Sequence, residues 1–317
     1  MPPSYSFLQP VFDHTAFRSA LDALQNGTRS GASLSGLTGT AKALVVAGLA
    51  HKIQRPLVVL TTDNESAERL AKAARTVLNW LEPGAHSRIH VLPAPDCSPY
   101  ENRSPHPEIS ERRAVALWHA ACGRTRILFA PLAAALGRFR ESHYYRSLAL
   151  DLKLGDEVSL DDLVEHLTAV GYESGEPVAT PAQYSVRGGI VDLFPPEVEC
   201  PVRLEFFGDR IESIREFDPG TQRSRKAAGN VTLLPFCENR HSPQLFARLV
   251  QTLTARVPHL RGEPEWAAEY SGQFPGWEFF VPLVEPAHGT LLTLFARPVL
   301  IWDEPVERRT QLQKTLE

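Results

Sequence analysis

Residues 36–43 read Gly-Leu-Thr-Gly-Thr-Ala-Lys-Ala, the layout of a phosphate-binding loop, G-x-x-x-x-G-K-[ST], with two departures. A working loop wraps backbone N–H groups around phosphates at a helix N-terminus. Its lysine reaches the outer phosphates and its Ser/Thr hydroxyl binds Mg²⁺. Here Gly36 and Gly39 are followed by Ala41 where the second glycine of the pattern belongs, which puts a methyl where backbone must approach phosphate. Ala43 removes the hydroxyl ligand, and Lys42 alone survives of the reactive pair. Far downstream, Val299-Leu300-Ile301-Trp302-Asp303-Glu304 is an apolar run ending in two acids. A strand ending in Asp-Glu is how such folds hold Mg²⁺ and orient an attacking water. Two correctly ordered motifs, one stripped of its ligands, predict a degenerate nucleotide site with no catalytic residue.

A second constellation lies in the middle of the chain. Val202-Arg203-Leu204-Glu205-Phe206-Phe207 reads as a strand entering a tight Gly208-Asp209 turn. Alternation puts Val202, Leu204 and Phe206 on one face and Arg203, Glu205 and Phe207 on the other. An aromatic sharing a face with Arg is the composition of protein–protein interfaces. The alternative is that Phe207 folds under a neighbouring loop and the arginines are merely solvated. Upstream, Arg187 stands beside another turn, Gly188-Gly189. No carboxylate pair, Ser/His/Asp set or Cys/His set converges here at a recognisable spacing. Cys97, Cys122, Cys200 and Cys237 contain no CxxC pair, which argues against a zinc site and fits a reducing cytoplasm.

The elements that must carry these residues follow from periodicity. A helix is predicted over residues 15–24, ending at Asn26-Gly27, and an apolar helix follows the loop at 35–40. Residues 57–63, 88–94 and 126–131 read as short, unalternating buried strands separated by helices over 64–81 and 109–122. That grammar means βαβ units and a parallel sheet. Around Leu148 it changes. A short strand and a helix capped by Ser159 lead into strands that follow one another directly, the mark of an antiparallel α+β insert. From His241 helices return, then residues 291–296 and 298–305 read as apolar strands of the first type. The expected organisation is therefore an α/β domain (1–147) interrupted by an α+β insert (148–236) and completed by residues 237–317.

Composition bounds the partners. The 317 residues allow two or three domains, and Lys+Arg 33 against Asp+Glu 37 gives a net charge of -4. This disfavours a domain that holds nucleic acid mainly by phosphate neutralisation. The longest apolar runs, such as 43–50, fall far short of the ~20 residues of a membrane span, so no membrane partner is expected. No basic region followed by an apolar run opens the chain, so no signal peptide is expected and the location is read as cytoplasmic. The last twelve residues, from Val306, read as an amphipathic helix without a stop signal, as in a segment cut from a longer protein.

Five strings carry a resemblance: GLTGTAKAL, LPAPDCSPYENRSPHPEISERRA, YSVRGGIVDLFP, RLEFFGDRIESIREFDP and the Gln-Arg after Thr221. Their order resembles the N-terminal part of the bacterial transcription-repair coupling factors, the Mfd family, itself related to the excision-repair protein UvrB. The resemblance covers residues from about Thr15 to Val306. It implies a degenerate P-loop helicase-like domain without ATPase activity, and an insert like the UvrB domain that binds UvrA. By position, Arg187, Arg203 and Phe207 match the UvrA-contacting residues, while Ser185 stands where UvrB often has a further Arg. Arg203→Ala or Phe207→Ala is accordingly expected to abolish UvrA capture without unfolding the domain. The resemblance implies no cofactor for this segment. ATP and Mg²⁺, RNA polymerase and double-stranded DNA belong to the full-length family. The rival readings are an ATP-dependent DNA helicase or translocase using Lys42 with Asp303-Glu304, and a direct damaged-DNA binder of the UvrB type.

Overall fold

The computed structural model describes residues 6–25, 31–256 and 273–304; the Asn26-Gly27 turn and the helix expected from Val306 lie outside them. The chain divides into two compact units. One draws on residues 1–94, 119–141 and 289–317, and the other on 95–118 and 142–288. The second unit takes in residues 95–118, 142–147 and 237–288 besides the insert read from the sequence.

The first unit is built on a parallel sheet. Strands β1 (Leu57–Thr61), β2 (Ile89–Val91), β3 (Ile127–Pro131) and β12 (Val299–Trp302) lie in the order β12-β1-β3-β2. All pairings are parallel, with Leu57 opposite both Val299 and Ile127. Every residue of β1, β2 and β3 is buried, which is why these runs show no polar alternation. Helix Asn64–Leu81 is capped by the Asp63 carboxylate, which accepts from the Ser66 N–H at 2.7 Å. Its Ala67, Leu70, Ala74, Val77 and Leu78 enter one core with Val46, Ala47 and Leu49 of helix Gly39–Lys52. Each such Leu or Val contributes roughly 1.5–3 kcal/mol by leaving water. Arg55 fixes the approach to β12, donating Nε to the Arg297 carbonyl at 2.7 Å and Nη2 to that of Pro298 at 3.3 Å.

One strand expectation is corrected here. Leu291–Leu294 is a single 3-10 turn, closed by the Thr293 N–H donating to the Thr290 carbonyl at 3.0 Å. Leu291 and Leu294, three apart, are both buried, so the apolar run satisfies its core contacts at helical spacing.

The second unit holds two sheets. Strands β5 (Glu173–Ser174), β6 (Gln183–Arg187), β7 (Ile190–Leu193), β8 (Val202–Phe207), β9 (Arg210–Phe217) and β10 (Ser224–Ala227) form one sheet in consecutive order. It is antiparallel except for the β5–β6 pair. Strands β4 (Leu150–Lys153) and β11 (Asn230–Leu233) form a separate antiparallel pair. The turn expected at Gly188-Gly189 closes a hairpin, because Gly188 at φ 59° reverses the chain between β6 and β7. Helix Leu160–Ala169 begins at Ser159, whose hydroxyl accepts from the Asp162 N–H at 3.3 Å. Helix Pro243–Arg256 packs Leu245, Phe246 and Leu249 against Trp277 and Val281. Among the described residues no helix is long and apolar enough to cross a membrane.

Candidate functional site

The polar face of the β6–β9 sheet carries the first set of candidates. Strand β8 alternates as its sequence dictates: Val202 and Leu204 are buried, while Phe207, at the rim beside the Gly208-Asp209 turn, is 82% exposed. Phe207 therefore does not fold under a loop. The ladder slips by one residue there, since Glu205 faces Ser213 but Phe206 faces Ile211, so Glu212 has no opposite number. Such bulges recur at sheet rims, where they re-aim side chains. The sheet is pinned from the other side at Gly189. A Cβ on that residue would lie 2.7 Å from the Phe206 carbonyl oxygen, so only glycine lets the two backbones meet.

Arg187 and Arg203 are joined by a residue that the sequence reading missed. Asp192 of β7 lies opposite Arg203 of β8 and is 1% exposed. Its Oδ1 accepts from Arg203 Nε at 2.6 Å, and its Oδ2 accepts from Arg203 Nη2 at 2.8 Å and from Arg187 Nη2 at 2.6 Å. The fork of Arg203 thus closes on the carboxylate in two bonds, the strong geometry for this pair. The hydrogen bonds to Asp192 hold the Arg203 pKa above the ordinary arginine value against the opposing effect of burial. The Arg203 guanidinium also lies over the Phe217 ring, 5.0 Å from its centre. Phe217 belongs to a small core with Val178 and Phe194. Arg203 is consequently mostly covered, its side chain 17% exposed, whereas that of Arg187 is 47% exposed and turns Nη1 toward Glu176 at 3.3 Å. One signal for Asp192 was legible: a carboxylate in an otherwise apolar run, Ile190-Val191-Asp192-Leu193, must find cations once buried. Ser185, the departure from the UvrB pattern, is buried opposite Asp192.

The remnant loop and the acidic strand end meet in the first unit. Gly36 is left-handed, at φ 75°, and helix Gly39–Lys52 starts early enough to include Ala41, Lys42 and Ala43. Ala41 therefore needs no left-handed backbone. Gly39 faces open space and requires no glycine for steric reasons. Ala43 is wholly buried and presents no oxygen. Lys42 Nζ donates to Asp303 Oδ1 at 2.7 Å and to Glu304 Oε1 at 2.5 Å. Burial alone would lower the lysine pKa; bonds and charge from Asp303 and Glu304 outweigh it and hold the ammonium above the ordinary value. The cation that would meet phosphate and the acids that would meet Mg²⁺ neutralise one another.

Residues 150–238 match the family model described as the UvrB interaction domain. The chain is 35% identical over 220 residues to the transcription-repair-coupling factor of Myxococcus xanthus, covering 69% of this chain and 18% of that protein. It is 31% identical over 202 residues to the coupling factor of Escherichia coli (strain K12), with 64% of this chain and 17% of that one covered. It is 23% identical over 262 residues to the UvrABC system protein B of Thermosipho africanus, with 78% and 39% covered. The chain is therefore similar to both groups over most of its length, as its motif strings imply. It spans less than a fifth of those two coupling factors.

Proposed function

We propose that this chain recruits UvrA as part of a transcription-coupled nucleotide excision repair factor. Residues 148–236 dock the partner, and the α/β unit is a degenerate P-loop helicase-like scaffold that carries them. The observation that carries the reading is Phe207, an 82% exposed aromatic on the rim of a sheet that lies within the match to the UvrB interaction domain. On the same sheet, two strands away on β6, Arg187 offers a half-exposed guanidinium. An aromatic anchor next to an arginine is the composition of interface hot spots. The charge of -4 accords with a protein partner, and contacts to RNA polymerase and double-stranded DNA are assigned to sequence outside these residues.

The scaffold performs no chemistry in this reading and takes no ATP or Mg²⁺. Its support is the Lys42–Asp303–Glu304 cluster together with the methyl of Ala43 at the hydroxyl position. An enzyme using Lys42 would need that ammonium for phosphate rather than for two carboxylates.

The test is the affinity of purified UvrA for the 317-residue chain and for Phe207→Ala. Saturable binding that Phe207→Ala weakens by roughly tenfold or more is expected for an interface anchor. Equal affinity of the two chains would overturn the assignment.

A further inference from the structure

We infer that Asp192 is the positioning residue of the docking face, holding the guanidinium of Arg187 ready for a carboxylate on the partner. The inference rests on the UvrA reading and adds how the face is prepared and what group it takes. Asp192 has little freedom of its own. Its side chain is 2% exposed, and it sits between Val191 and Leu193, both fully buried on the opposite face of the strand. Three N–H groups from two arginines converge on its two oxygens at 2.6–2.8 Å.

The two arginines divide the work. Arg203 spends two of its groups on Asp192 and lies on Phe217, so it is a clamp. On its other side the ladder sets it against Arg215, a like charge that the carboxylate offsets. Arg187 spends one group on Asp192 and remains half exposed. Asp192 is shared by two guanidinium ions, and the second positive charge, at Arg187, is met by the exposed Glu176 carboxylate, whose place a partner carboxylate would take. The chemistry that Arg187 recognises is already displayed: Nη1 of Arg187 faces the Glu176 carboxylate, whose side chain is 62% exposed. A guanidinium fork matches a carboxylate in shape as well as charge. Fixing a long, rotamer-rich side chain before association lowers the ordering cost at the moment of binding.

The experiment compares UvrA affinity for the whole chain, Asp192→Asn, Arg187→Ala and the double variant, with thermal melting to follow the fold. Asp192→Asn is expected to weaken UvrA by about as much as Arg187→Ala, on the order of tenfold. Adding Arg187→Ala to Asp192→Asn should then cost less than about threefold more, because coupled groups are not additive. A purely structural aspartate would leave the Arg187→Ala loss undiminished. If Asp192→Asn alone does not fold, Asp192→Asn with Arg203→Met removes the buried acid and one buried cation together, and Arg187→Ala is measured on that background. A folded Asp192→Asn chain with unchanged affinity, or losses that multiply in full, overturns the inference and leaves the UvrA reading standing. Unchanged affinity for Phe207→Ala overturns the UvrA reading and this inference with it.

Discussion

Arg203 gives Nε and Nη2 to the two oxygens of Asp192 while its guanidinium carbon lies 5.0 Å from the centre of the Phe217 ring. The side chain therefore holds the sheet together before it meets any partner. Arg203→Ala and Phe207→Ala, treated alike on sequence grounds, separate on this geometry.

Arg203→Ala is expected to destabilise the second unit by about 3–5 kcal/mol, because it strips a buried carboxylate of its main partner. Phe207→Ala, at an exposed rim, should shift stability by no more than about 0.5 kcal/mol. Urea denaturation of the two variants checks this. An unaltered midpoint for Arg203→Ala would contradict the buried pairing. Loss of UvrA capture by Arg203→Ala thus does not isolate a contact, whereas loss by Phe207→Ala does.

Gly189→Ala places a methyl 2.7 Å from the Phe206 carbonyl oxygen, which is backbone and cannot swing aside. The strands at this rim must part, and the loss is expected to be about 1–3 kcal/mol. Amide exchange should accelerate first at Phe206, whose N–H donates to the Gly189 carbonyl at 2.7 Å. Unchanged protection at that amide would show that the sheet absorbs the methyl.

Lys42→Ala leaves Asp303 and Glu304 facing one another without their shared cation. Because the lysine and Glu304 are partly exposed, the loss expected is about 1–2 kcal/mol, below that of a fully buried pair. Calorimetric titration of Mg-ATP into the unmodified chain should give no saturable heat. Micromolar binding that Lys42→Ala abolishes would instead support the enzyme reading.

Stability should fall on mild acidification. Burial pushes the His90 pKa down to about 3, with His119 and Arg75 adding to the effect, and burial takes His241 down to about 4. Unfolded histidine, with a pKa near 6.5, binds a proton that the folded form refuses. Below about pH 6.5 each histidine therefore removes up to about 1.4 kcal/mol per pH unit, until its folded pKa is reached. Urea midpoints between pH 7 and 4.5 test this, and His90→Asn should flatten the slope. A midpoint independent of pH over that range would show that neither ring stays neutral.

Much of the framework was legible because it is written locally. Buried parallel strands must be apolar on both faces, so β1 and β3 stand out as unalternating runs. The helix start at Leu160 is announced by Ser159, since a side-chain oxygen beside free N–H groups is a short-range device. Asp63, read as the end of a strand, caps the helix at Asn64 in the same way. Alternation along β8 likewise separates Leu204 from Phe207.

The sequence by itself determined the strand–helix grammar, the alternating faces of β8 and the absence of a hydroxyl at Ala43. Only the tertiary structure decided which charges are spent. Lys42 meets Glu304 across 262 positions, and Asp192 draws together cations from β6 and β8. Spacing along a chain reports which groups share a strand or a helix face. Whether a cation is presented or consumed depends on which distant carboxylate the fold buries beside it, and burial at long range is a property of packing.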